Sequence, residues 1–140
     1  MASTRAILQR AIVLAPEYGN SDLAKNPQNI TLSTIETACQ TDDPLAKRVV
    51  SEAARYLGTS LANLISVLNI HKIVLTGDMA CFGDFWLQSV QKAMMQSALT
   101  RMAQDTKIEV GTLEFKACIL GASAFMLLEN YSLLFMQPTY

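Results

Sequence analysis

The sequence has few charged residues and few of the residue types that build reactive sites. Charged residues make up 16% of the 140 residues, and 11 basic against 12 acidic side chains leave a formal net charge of −1. Without a basic cluster, the chain lacks the electrostatic footprint of a protein that holds DNA by itself. The only histidine, His71, precedes an apolar run, where no pairing with a serine or cysteine nucleophile can be argued. We expect a surface or hydrogen-bonded histidine.

Long apolar runs and a cysteine framework are also missing. No run approaches the roughly 20 apolar residues that cross a bilayer, and the start "MASTRAILQRA" lacks the separate regions of a signal peptide. The cysteines are odd in number and far apart, which favours reduced thiols over disulfides or a zinc site; they are Cys39, Cys81 and Cys118. We therefore expect a cytoplasmic protein that does not contact membranes and has no metal site in this chain.

The sequence is rich in apolar residues, which make up 51% of the chain. Apolar residues at helical spacing predict a helix over residues 4–15, and the breakers in "PEYGNSDLAKNPQN" predict an exposed loop after it. Thr31 or Ser33 can cap a short helix, with Glu36 completing a capping box from Ser33. That helix should end near "QTDDP".

The clearest helix signal follows. Asp43 is a capping residue, Pro44 occupies the first helical position, and one face stays apolar to about Leu68. Small residues lie four apart on this helix, at Ala54, Gly58 and Ala62. This pattern favours a tight crossing with another helix over a contact between subunits.

The second half of the chain has the pattern of a βαβ unit. The apolar run 73–75 predicts a strand covered on both faces, a helix begins at about Asp84, and 107–110 can form a second, parallel strand with a right-handed crossover. An apolar helix is predicted over 117–128. Two strands make a poor independent core, so we expect further strands outside this sequence or in a partner chain.

The turn "TGDMACFG" after the first strand is the main candidate site. It lacks the Gly-Lys-Ser/Thr of a phosphate-binding loop and the spacing of a dinucleotide motif. Its place at a strand end beside a helix N-terminus is nevertheless where α/β folds hold ligands. An ordinary βα turn is the favoured interpretation. Asp78 and Asp84 flank the turn, but without a third ligand they make a weak metal site.

Three segments resemble a known family. "DDPLAKRVVSEAARYLGTSLANLISVLNIHKIVLTGDM", "FGDFWLQSVQKAM" and "KACILGASAFMLL" are similar to the C-terminal part of the ROK family of sugar-responsive transcriptional repressors and sugar kinases. The resemblance covers roughly 31–128 and is most specific over 56–77. It implies a helix-rich α/β fold, a partial ribonuclease H-like (actin/hexokinase-like) lobe with two short parallel strands. Residues 1–140 would form a single partial domain, with a tail at 129–140.

The resemblance gives the turn a specific meaning, because in the family kinases it lies against the adenine nucleotide. It implies a degenerate nucleotide-loop position at Thr76, Gly77, Asp78 and Met79. Gly77 matches the first glycine of the family turn, but Asp78 replaces the second, and a carboxylate there would narrow the slot and repel phosphates. Ile70 and Lys116 also depart from the family pattern. We expect that this loop does not hold ATP.

Several family motifs are absent from the sequence: the winged helix, the phosphate loop with its aspartate, Glu-x-Gly-His, and the zinc motif Cys-x-Cys-Gly-x-x-Gly-Cys. The resemblance implies that zinc, sugar and DNA are bound only by upstream regions of a parent chain. The leading hypothesis is a non-enzymatic C-terminal part of a transcriptional regulator, which supplies scaffold and homodimer contacts. The alternatives are part of an ATP-dependent sugar kinase related to glucokinase, and a stand-alone association module.

Overall fold

The computed structural model describes residues 3–97, 105–111 and 116–129. Their helices and strands are, in chain order, α1 (Thr4–Leu14), α2 (Leu32–Gln40), α3 (Pro44–Leu68), β1 (Lys72–Leu75), α4 (Gly83–Ser97), β2 (Lys107–Val110) and α5 (Lys116–Glu129). The predicted helices and strands are all present. Over these residues, the structure has no helix that combines the length and the apolar character needed to span a bilayer.

The first helix forms where the apolar spacing predicts it. The Ser3 hydroxyl accepts a hydrogen bond from the Ala6 N–H, and α1 ends at Leu14, where the chain tightens into a 3-10 turn containing Pro16. The loop that follows is not simply exposed, because Ser21 and Leu23 are 0% and 8% exposed. The prediction of an exposed loop is wrong at these two residues, which are held down by a carboxylate farther along the chain.

That carboxylate belongs to Asp43, the residue that caps α3. Burial by itself raises the pKa of Asp43, but the hydrogen bonds that it accepts outweigh burial, and the pKa is lowered. The donors to its two oxygens are Leu45 N (2.9 Å), Ala46 N (3.1 Å), Ser21 Oγ (2.8 Å), Asp22 N (2.9 Å) and Leu23 N (3.5 Å). One side chain therefore caps the longest described helix and also ties the preceding loop to it.

The cap of α2 differs from the predicted capping box. Thr31 is the capping residue: its hydroxyl accepts from the Thr34 N–H at 3.2 Å, and its own N–H donates to the Thr34 hydroxyl at 2.8 Å. Because the helix begins at Leu32, Ser33 lies inside it and does not pair with Glu36 as a cap. The predicted Ser33 to Glu36 box is wrong, whereas the predicted end near Gln40 is confirmed.

The tight helix crossing predicted from the small residues is confirmed between α3 and α4. Ala54, Gly58 and Ala62 are buried. A Cβ atom added at Gly58 would lie 2.6 Å from both the Ala93 Cβ and the Val90 carbonyl oxygen. Glycine at this position lets the backbones of the two helices come into contact.

The two strands pair in parallel, with Lys72 opposite Lys107 and Leu75 opposite Val110. One face of the sheet is packed, since Ile108 is 3% exposed, but Val74 on the other face is 51% exposed. The prediction that both faces are covered is wrong, because the described residues supply packing on one side only. On the open face, Glu109 accepts from Lys107 (2.6 Å) and Lys72 (2.8 Å), and these hydrogen bonds lower its pKa to about 2.

The helix α5 is apolar as predicted, yet its large apolar side chains are exposed, from Leu120 at 49% to Leu128 at 75%. Such a helix is normally buried on all sides. The described part of the chain does not bury it. Of the tail predicted over 129–140, Glu129 is the last residue of α5 and residues 130–140 lie outside the described ones.

The Gly58→Ala substitution should destabilise the protein. The added methyl group would meet backbone atoms of α4, including the Met94 nitrogen at 2.8 Å, and overpacking of this kind costs about 1–3 kcal/mol. This loss should exceed the gain of about 1 kcal/mol in helix propensity. Urea titration followed by circular dichroism measures the free energy of unfolding. The matched control is Gly121→Ala on α5, where nothing lies within 4 Å; equal stability of the two variants would contradict the crossing.

The Asp43→Asn substitution should reduce the pH dependence of stability. Because the pKa of Asp43 in the folded protein is below its ordinary value of 3.8, the carboxylate stabilises the fold above that value. The stabilisation is lost as pH falls through the lower, folded-state pKa.

The free energy of unfolding, measured by urea titration between about pH 2 and about pH 7, should therefore fall less steeply with acid in Asp43→Asn than in the wild type. The control is Asp22→Asn, which removes a carboxylate whose side chain is 90% exposed. If both variants keep the wild-type acid slope, the role of Asp43 is refuted.

Candidate functional site

The turn after β1 begins at the carboxyl edge of the sheet. Gly77 has φ 103° and ψ −176°, a conformation that is open to glycine and strained for other residues. The Ala80 N–H then donates to the Gly77 carbonyl at 3.0 Å, and Asp78–Phe82 forms a 3-10 turn. A second glycine with positive φ, Gly83 at 58°, begins α4. The two glycines bound the turn and set its path between strand and helix.

The four residues predicted as the nucleotide-loop position are consecutive at this edge, but they do not all face solvent. Thr76, Gly77 and Asp78 are exposed, whereas Met79 is half-buried and packs against the core. The loop thus offers a short exposed segment anchored by one apolar side chain. Its role as a degenerate nucleotide-loop position stays a prediction.

Sequence reasoning missed Gly111, which follows β2. Its N–H donates to the Leu75 carbonyl at 2.8 Å, and a Cβ atom there would lie 2.7 Å from the Thr76 Cγ2 atom and 2.9 Å from the Val74 Cγ1 atom. Glycine is therefore needed for the end of β2 to lie against the start of the candidate loop. The available signal was a glycine immediately after a predicted parallel strand, which is the position that neighbours the first βα turn.

Asp78 is the charged group of the loop. Its Oδ2 atom accepts a hydrogen bond from the Thr4 hydroxyl at 3.2 Å, which links the loop to the first turn of α1. The described non-glycine residues with positive φ are Asp42 and Asn69, so the backbone at Asp78 accommodates a side chain without strain. A carboxylate is thus held, exposed, at the carboxyl end of β1.

Metal ligands do not gather around this carboxylate in the described ranges. Across 3–97, 105–111 and 116–129, no three or more His, Cys, Asp and Glu side chains are grouped closely enough to hold a metal ion. Asp84 lies exposed in the first turn of α4. His71 is exposed as predicted. Its carbonyl accepts a hydrogen bond from the Lys107 N–H at 2.9 Å, which extends the pairing between β1 and β2.

The cysteines are free thiols, as predicted. Cys39 and Cys81 line a cavity of about 210 Å³ between α2 and the loop. Burial, with a contribution from Asp43, raises the pKa of Cys39 to about 11, and burial is also the main cause of a raised pKa at Cys81. Both groups are protonated at neutral pH, so neither is an activated nucleophile.

Comparison with known families identifies the origin of this arrangement. A model of the ROK family matches residues 1–129. The chain belongs to the ROK family. The match includes α1 and the loop after it, and therefore extends beyond the segments that carry the resemblance in the sequence.

Relatives within the ROK family include both enzymes and repressors. The chain is 31% identical over 124 residues to a glucokinase of Halalkalibacterium halodurans, a match that covers 86% of this chain and 38% of the relative. It is 25% identical over 108 residues to the xylose repressor of Caldicellulosiruptor bescii, covering 77% of this chain and 27% of that protein. The chain thus spans well under half the length of either relative.

A solved ROK structure confirms the predicted fold. The ROK family glucokinase from Streptomyces griseus, in complex with glucose and AMPPNP, matches with a TM-score of 0.71 and 25% identity, over 88% of this chain and 42% of that one. The chain has part of the actin-like, ribonuclease H-like fold of the ROK family. Within the described residues, that part of the fold consists of the two parallel strands and the helices that pack on them.

The Gly77→Ala substitution should destabilise the loop through the backbone alone. Space for a methyl group is open at Gly77, but a non-glycine residue at this φ and ψ costs about 1–3 kcal/mol. Thermal unfolding should show the loss. Gly19→Ala is the matched control, since it is also free of neighbours within 4 Å and has no positive φ. A Gly77→Ala variant as stable as Gly19→Ala would argue against the described backbone of the loop.

Proposed function

We propose that this chain is the C-terminal part of a ROK-type, sugar-responsive transcriptional regulator, in which it supplies scaffold and homodimer contacts rather than chemistry. The observation that carries the proposal is the exposed carboxylate of Asp78 at the end of β1, hydrogen-bonded to Thr4. A kinase of this fold needs that edge of the sheet free for a nucleotide, whereas a regulator does not.

The electrostatic effect of Asp78 is large enough to matter for nucleotide binding. Two like charges 4 Å apart repel by about 1 kcal/mol in water and by about 4 kcal/mol at the effective dielectric constant near a protein surface. The hydrogen bond from the Thr4 hydroxyl favours the conformation in which the Asp78 carboxylate lies at the carboxyl edge of the sheet. Each kilocalorie of repulsion weakens the binding of an anionic phosphate group by about fivefold.

The remaining features support a role in scaffold and assembly. The crossing of α3 and α4 and the Asp43 cap give the chain a rigid body, and the exposed apolar side chains of α5 offer surface for the rest of the protein and for a second copy. In this proposal, sugar, DNA and zinc are bound by upstream regions of the parent chain. The free thiols fit a cytoplasmic location.

A sugar kinase related to glucokinase is the second candidate. The observation in its favour is the 31% identity to the glucokinase of Halalkalibacterium halodurans. Gly77 also has a positive φ and no side chain, so a nucleotide could approach the backbone of the turn closely. In that case Asp78 would have to be accommodated by the position of the phosphates.

Calorimetric titration of Mg-ATP into the intact protein that carries this chain separates the two candidates. The regulator should show no phosphate transfer to glucose and only weak, unsaturated binding of Mg-ATP, and Asp78→Gly should raise the apparent association constant by about fivefold or more. Asp22→Gly removes an exposed carboxylate that is paired with Lys25 and should leave nucleotide affinity unchanged. Saturable binding by the wild type together with hexose phosphorylation would overturn the regulator and establish the kinase.

A further inference from the structure

A basic surface runs along α1 and α3 in a chain whose formal net charge is −1. Between them the two helices contain one acidic residue, Glu52, against five basic ones: Arg5, Arg10, Lys47, Arg48 and Arg55. Lys47 is paired with Asp42 at 2.6 Å. Arg48 and Arg55 are spaced at helical intervals with Glu52, so these two arginines lie on the same side of α3 as Glu52.

A cavity with both apolar and charged residues in its lining lies between α1 and α3. It has a volume of about 210 Å³, and its buried lining includes Ile7 of α1 and Val49 and Ala53 of α3, with Arg10, Glu52 and Tyr56 also along it. A second cavity of about 390 Å³ shares Ala6 and Arg10 with it and continues past Arg5 to Val13. Together, these two cavities form a single surface that we call the α1/α3 groove.

The charges at the groove are not balanced. Arg10 Nε lies 3.3 Å from both Glu52 oxygens and donates a hydrogen bond to Oε2, and Arg48 Nε lies 4.0 Å from the same Oε2 atom, so one carboxylate pairs with two guanidinium groups. The side chain of Glu52 is 14% exposed, while those of Arg10 and Arg48 are 44% and 61% exposed. Each guanidinium has five N–H donors in a planar fork, which leaves donors free to take further carboxylate oxygens.

We propose that the α1/α3 groove binds an acidic segment of a protein partner, with one apolar side chain of the partner in the inner cavity and its carboxylates paired with Arg5, Arg10 and Arg48. The inner cavity is smaller than the roughly 300 Å³ at which pockets for whole small molecules begin, but it has room for one aliphatic side chain. The apolar lining distinguishes this surface from a phosphate-binding one, since a nucleic-acid backbone has no apolar side chain to insert. The inference holds for a regulator and for a kinase alike.

Fluorescence anisotropy with the intact protein tests this. The probe is a fluorescein-labelled peptide with one central leucine flanked on both sides by glutamates. It should bind saturably, and more weakly as salt screens the charges. Arg10→Glu should weaken binding by at least about tenfold. Lys92→Glu makes the same change of charge on an exposed position of α4 and should leave the affinity unchanged.

The Ala6→Phe substitution tests the cavity without changing charge. Ala6 is common to both parts of the groove, so a phenyl ring there should fill the cavity and weaken binding of the peptide by about tenfold. It also provides a second variant if Arg10→Glu impairs folding. No binding of the peptide, equal binding when its leucine is replaced by serine, or equal binding of double-stranded DNA would each overturn the proposal.

Discussion

The hydrogen bonds that converge on the Asp43 carboxylate hold together parts of the chain that would otherwise be independent. One oxygen or the other accepts from the first turn of α3, from the Ser21 hydroxyl and from the backbone of the loop before α2. Since α3 is the helix on which α1, α2 and α4 pack, the position of this cap fixes the start of the central element. A buried carboxylate is costly unless it is fully hydrogen-bonded, and here the number of donors reverses the effect of burial on its pKa.

From that fixed helix, close packing determines where the candidate site lies. Gly58 brings the backbone of α4 against α3, and α4 begins at Gly83, directly after the turn that follows β1. Gly111 then brings the end of β2 against Thr76. The carboxyl edge of the sheet and the N-terminus of α4 therefore meet through three glycines, each of which permits a contact or a backbone conformation that a side chain would prevent or strain.

The same framework is compatible with two kinds of ROK protein, and this is why fold alone does not assign function. Relatives include a glucokinase and a xylose repressor. Our proposals for this chain rest on the chemistry added to the framework, namely the Asp78 carboxylate at the sheet edge and the arginines around Glu52 on α1 and α3. Of these two features, only the Asp78 carboxylate bears on the choice between regulator and kinase that we propose.

Local signals in the sequence determined the elements and the family. The sequence predicts the start of α3 at Asp43–Pro44, the small residues of its crossing face and the parallel strands. These features are predictable because caps and periodicity depend on neighbours in the chain. The prediction of an exposed loop was wrong at Ser21 and Leu23, and the predicted Ser33 to Glu36 capping box was wrong. The cap of α2 is a local choice between Thr31 and Ser33, and the bonds between Thr31 and Thr34 select Thr31. Burial of Ser21 and Leu23, in contrast, depends on a carboxylate some 20 residues away.

The open face of β1, the close approach of Gly111 to Thr76 and the α1/α3 groove were likewise decided by tertiary structure. Each of them is made by residues from separate elements, and the free energy of such contacts comes from packing and solvent exclusion that no local pattern encodes. The sequence by itself therefore determined which helices and strands form and to which family they belong. Only the tertiary structure decided which of their side chains meet, because that depends on distances between segments far apart in the chain.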